Sequence, residues 1–123
     1  MNKNLSIKKL NKPQAVEQLQ FQVKPELLDR WIELDHEIWT KGLARWPGFA
    51  GKEVWQNSSV PGEVMTVIYW DDYDQWQAID PGWLQEADRR FLETFGSDNV
   101  KMTGELHLEK QFYKTHEVEI EQQ

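Results

Sequence analysis

The chain has 123 residues, a length suited to a single domain. Its 21 acidic residues outnumber 14 basic ones, and the net charge of −7 excludes the basic face that a nucleic-acid partner requires. There is no cysteine, which removes disulfides, thiolate nucleophiles and metal–sulfur sites. No apolar run approaches the roughly 20 residues that cross a bilayer, and no apolar signal-peptide segment opens the chain. No membrane partner and a cytoplasmic location are the expectation.

In chain order, Met1 to Lys12 carries Lys3, Lys8, Lys9 and Lys12 and no acid, with Leu5, Ile7 and Leu10 as isolated apolar residues before Pro13. Residues 1–13 are expected as a disordered basic arm, 14–114 as the folded domain and 115–123 as a frayed acidic tail. Val16 to Val23 alternates as a strand, with Leu19, Phe21 and Val23 on one face and Gln18, Gln20 and Gln22 on the other. Pro25 and Glu26 suit the first turn of a helix that runs to about Arg45, where Pro47-Gly48 stops it. Phe49 to Gln56 and Glu63 to Trp70 read as two strands around a turn at residues 57–62. Asp71 or Asp72 caps a short helical piece through Ile79. Asp80-Pro81 then starts a helix that Gly96 ends, and a last strand is expected from about Thr103 to Tyr113.

The order β-α-β-β-α-β predicts an α+β, ferredoxin-like fold: a four-stranded antiparallel sheet with both helices on one face. The other face would carry the three glutamines and, from strand four, His107, Glu109, Gln111 and Tyr113. No further element exists to cover it, so pairing across a two-fold axis into a homodimer is expected.

Three stretches carry a family resemblance: "VMTVIYWDDYDQWQAI" at the exit of strand three, "PGWLQEADRRFLETF" in the second long helix, and "WPGFAGKEVW" at the approach to strand two. Over roughly residues 15 to 113 the chain resembles the dimeric α+β barrel superfamily, which includes the antibiotic-biosynthesis-type monooxygenases and the haem-degrading monooxygenases. It is most similar to a sister group of these two enzyme classes. The resemblance implies a homodimer with a small apolar or aromatic ligand in a cleft between helices and sheet. It further implies a cofactor-independent monooxygenase-like activity, with a non-catalytic binding or structural dimer as the alternative. The haem-degrading relatives carry an axial histidine that aligns with Asp88 or Arg89 and a strand-one asparagine that aligns with Gln18 or Gln20. Neither residue is kept, and no cofactor is expected.

Within the first helix, apolar residues cover one broad side, and Asp35 lies near its centre with Leu28, Trp31, Trp39 and Gly42 around it. A carboxylate there costs several kcal/mol unless paired or protonated. It is expected either as a structural acceptor for a Trp, Tyr or Arg donor, or as a pocket base with a raised pKa. In the base reading Asp35 is the catalytic residue, and Trp31, Trp39, Trp70 and Asp88 line the ligand site. Glu33 and His36 have one E-x-x-H spacing, too little for a metal site. His107 is expected at the dimer interface and His116 in the tail.

Overall fold

A computed structural model describes residues 3–121. Five strands form one sheet: β1 (Asn4–Val23), β2 (Phe49–Gln56), β3 (Glu63–Trp70), β4 (Val100–Glu105) and β5 (Tyr113–Glu121). The order is β2-β3-β1-β4, all antiparallel, with β5 pairing β1 beyond β4. This curled sheet with its helices is the expected α+β, ferredoxin-like architecture.

The helices are α1 (Leu28–Leu34), a π-helical segment (Asp35–Thr40), α2 (Lys41–Leu43), α3 (Tyr73–Gln77), α4 (Pro81–Phe95) and α5 (Leu106–Glu109). The first three are consecutive and make up the first long helix. A 3-10 turn over Pro25–Leu27 leads into it. The second long helix, α4, is capped as its sequence implies, with the Asp80 side chain accepting from the Gly82 N–H and Pro81 in the first turn.

Alternation along β1 directs Ala15, Leu19, Phe21 and Val23 to the helices, where two cores form. Val23, Trp31, Leu34, Val64, Phe91 and Phe95 make one, and Ala15, Leu43, Ile68, Trp70 and Ile79 the other. In β2, Gly51 (φ +149°) forms a bulge at which the register against β3 shifts. Phe49 and Lys52 are three residues apart and would face opposite ways in a regular strand. The bulge sets both on the helix side, paired with Trp70 and Ile68.

Both expected tails are corrected. The described part of the basic arm is the first half of β1, and the described part of the acidic tail is β5; residues 1, 2, 122 and 123 lie outside the described residues. Leu5 pairs with Ile120 and Ile7 with Val118, while Lys8 meets Glu117 and Glu119 at 4.0 and 3.7 Å. Two residues that look isolated in one segment thus form an apolar face once the opposite segment is beside it. Pro13 sits in the register shift between Lys9 and Gln14, where a ladder donor is not needed.

The expected last strand is also corrected, because the turn of α5 divides it into β4 and β5. That turn hooks over the edge of β1: Gln111 Nε2 donates to Val16 O at 2.9 Å and the Val16 N–H to Phe112 O at 3.2 Å. Among the described residues no helix is long and apolar enough to cross a membrane.

Candidate functional site

A cavity of about 810 Å³ lies between the helices and the sheet, within the range of small-molecule sites. Its inner wall includes the buried Trp31, Asp35, Thr66 and Ile68, and its lining reaches exposed residues of α4 and β4, among them Asp88, Met102 and Glu105. Trp31, Asp35, Trp39 and Asp88 all line this one cavity.

Asp35 is buried, and its Oδ2 accepts from Lys52 Nζ at 2.6 Å; the two side chains are 7% and 5% exposed. The same ammonium donates to Thr40 Oγ1 at 2.8 Å. Burial pushes the Asp35 carboxyl up, and the Lys52 charge opposes it. Of the two expectations for Asp35, this geometry is the structural acceptor, with lysine as the cation in place of arginine.

Across the cavity, β1 contributes Glu17, a residue that the sequence reading passes over. The alternation that sends Leu19 and Phe21 inward sends Glu17 inward too, which was the available signal. Glu17 Oε1 accepts from Trp70 Nε1 at 3.2 Å. Burial pushes its carboxyl up; the Trp70 hydrogen bond and the nearby His107 and Lys52 pull the other way.

Trp70 is fully buried in the second core, where it packs edge-on to Phe49 at 5.8 Å, and it does not line the cavity. Its expected place as a pocket wall is therefore corrected: it stands behind the wall and holds Glu17. Trp76 takes that place, edge-on to His107 at 5.1 Å between ring centroids. His107 is corrected as well. It lines the cavity, its Nδ1 within 3.2–3.3 Å of the Gln18 backbone and its Nε2 3.9 Å from Glu105. The turn of α5 moves it off the outer sheet face. His36 and His116 are exposed, and no cluster of metal-ligating side chains occurs among the described residues.

No protein-family model matches the chain, and no curated protein matches it. Solved structures do. A conserved protein from Methanosarcina mazei Go1 is 14% identical over 89% of this chain and 91% of its own, with a TM-score of 0.54. An antibiotic-biosynthesis-monooxygenase-like protein from Bordetella bronchiseptica is 15% identical over 91% and 98%, with a TM-score of 0.54. Another from Deinococcus radiodurans is 19% identical over 72% and 87%, with a TM-score of 0.52. The chain has the fold of the antibiotic-biosynthesis-monooxygenase-like proteins, as its sequence resemblance implies.

Proposed function

We propose that this protein binds a small aromatic molecule in the helix–sheet cavity and oxidises it as a cofactor-independent monooxygenase-like enzyme. The observation that carries the reading is the cavity itself, which is lined by aromatic side chains and has a carboxylate on each of two walls, the buried Asp35 and the half-buried Glu17. A cleft filled by tryptophan would have favoured a purely structural dimer. Glu17 is the base in this reading. Burial raises its carboxyl above the ordinary carboxylate range, and its hydrogen-bond donor is a neutral indole, so it can accept a proton without stranding a counter-charge. Asp35 holds Lys52 in place. The deprotonated ligand supplies the electrons: an activated methylene gives four to dioxygen, one oxygen atom becoming the product carbonyl and the other leaving as water.

The donor set suits haem poorly. The second long helix offers Asp88, a hard oxygen donor, where haem-degrading relatives carry histidine.

A homodimer belongs to the same proposal. The outer sheet face carries the partly exposed Met65 and Tyr69 and a half-exposed Trp55, and the β1–β5 ribbon leaves Leu5, Ile7, Val118 and Ile120 exposed. Sedimentation at micromolar concentration should give twice the chain mass; a monomer overturns the dimer.

Oxygen uptake with anthrone, whose methylene is acidified by the opposite ketone, tests the activity. Turnover that falls about 10²-fold in Glu17→Gln supports the reading. Binding with no oxygen uptake would favour the non-catalytic alternative.

A further inference from the structure

The His107 imidazole lines the cavity, and the fold treats its two nitrogens differently. Nδ1 faces the backbone of Gln18, 3.3 Å from its nitrogen and 3.2 Å from its oxygen. A strand residue directs its N–H and C=O to the same edge, so one ring nitrogen meets a donor and an acceptor together. A bare Nδ1 accepts from the N–H, and a protonated Nδ1 donates to the C=O. The ring therefore keeps a backbone partner in either tautomer and as imidazolium. Nε2 is different, for it makes no hydrogen bond. Trp31 Nε1 is the one buried side-chain nitrogen or oxygen without a partner among the described residues. Nε2 is thus accessible, although the His107 side chain is only 9% exposed.

The strands place this atom between the cavity and solvent. Glu105 pairs with Leu19, so it shares the helix-facing side of the sheet with Leu19 and Glu17. Its carboxylate lines the cavity, is 43% exposed and lies 3.9 Å from Nε2. The turn of α5 folds His107 back onto β1 at Gln18, next to Glu17. Trp76 of α3 closes the ring in from the side, edge-on at 5.1 Å. The charged groups around the imidazole are Glu105 from β4 and Glu17 from β1, and α3 presents a neutral indole.

The proposed oxidation needs an acid and a base at the same moment. Glu17 takes the first methylene proton, and the electron pair left on carbon forms a bond to dioxygen. Glu17 can return that proton to the distal peroxide oxygen. It then takes the second proton, the C–H pair becomes the carbonyl π bond, and the O–O pair departs with hydroxide. At that step Glu17 is the base, so another group must protonate the departing oxygen. Asp35 and Lys52 hold each other. We infer that His107 is this acid, giving its Nε2 proton to the departing oxygen, which leaves as water. The inference rests on the proposed oxidation. Nε2 regains its proton from solvent by way of Glu105, and Glu17 releases one to water, which closes the balance. Imidazole suits the task because it both gives and takes a proton near neutral pH.

His107→Asn sets an amide where Nδ1 stands and nothing at Nε2, so the hold on Gln18 can persist without the acid. Oxygen uptake with anthrone should show kcat down about 10²-fold and KM within twofold. The limb of the kcat–pH profile that falls as pH rises should disappear, and added imidazole should restore part of the rate. A merely structural role would produce neither effect. Nitrogen-15 NMR of the wild-type ring tests the geometry without a variant: bound anthraquinone should shift Nε2 and leave Nδ1 nearly fixed. An unchanged kcat, a loss that imidazole does not rescue, or an Nε2 resonance unmoved by bound anthraquinone overturns the role of His107 and leaves Glu17 as the base. A wild type that takes up no oxygen with anthrone overturns the oxidation and this role with it.

Discussion

The two walls of the cavity each carry a desolvated carboxylate, and they answer it differently. On the helix side Asp35 meets a full positive charge at 2.6 Å. On the strand side Glu17 meets a neutral indole N–H at 3.2 Å. Desolvation raises both carboxyls, but the consequences diverge. Asp35 and Lys52 hold each other, so either side chain alone is a buried, unpaired charge. Glu17 has no counter-charge in contact and can change protonation without stranding a partner. Burial alone therefore does not identify a base; the charge of its immediate partner decides.

The helix wall provides the sharpest way to break this comparison. Asp35→Asn should cost about 3 kcal/mol or more in chemical denaturation, because Lys52 loses its counter-ion at 5% exposure. Lys52→Met should cost a similar amount. The double variant should cost clearly less than the two losses added together, since it removes both charges at once. Additive losses would mean that the pair is not coupled.

Trp70→Phe comes next, at about 1–2 kcal/mol from one lost hydrogen bond and a modest cavity in the second core. It should also raise the Glu17 pKa further, because the donor that favours the charged form is gone.

Glu17→Gln should change stability by under about 1 kcal/mol near pH 5, since the amide oxygen can still accept from Trp70. The sign then depends on pH. Burial raises the folded pKa above its ordinary value of 4.5, so the stability that Glu17 contributes is complete below 4.5 and is lost as pH rises through the folded value. The variant has no such loss, and denaturation at successive pH values should show it gaining on the wild type as pH rises. A difference that is flat with pH contradicts the raised pKa.

The smallest effect belongs to a surface control. Lys12 and Asp72 pair at 2.9 Å, close to the buried distance, but their side chains are 65% and 31% exposed. Lys12→Ala should leave the melting temperature unchanged within error, because exposed ion pairs contribute little.

The sequence shows most of the fold where one periodicity holds throughout an element. Strand β3 and helix α4 follow directly from alternation, Asp80-Pro81 and Gly96. Legibility fails wherever the backbone departs from its ideal period. The bulge at Gly51 turns Lys52 to the same side as Phe49, so regular alternation cannot find the cation that Asp35 needs. The π-helical segment brings in Thr40, which 100° spacing places elsewhere. The turn of α5 carries His107 off its expected face. The β1–β5 ribbon joins the two ends of the chain, and neither end alone contains enough apolar periodicity to announce a strand. Glu17 is different, because the β1 alternation already sent it inward; attention to the apolar residues of that face hid it.

The contrast between the two walls is tested most directly by following the side-chain carboxyl carbons of Glu17 and Asp35 by NMR as a function of pH, in the wild type and in Lys52→Met. Glu17 should titrate above 4.5 in both proteins, with only a small change between them. The Asp35 pKa should rise sharply when Lys52 is removed, because its charged partner is lost while its burial remains. Glu17 titrating at or below 4.5, or Asp35 indifferent to the loss of Lys52, would contradict the account.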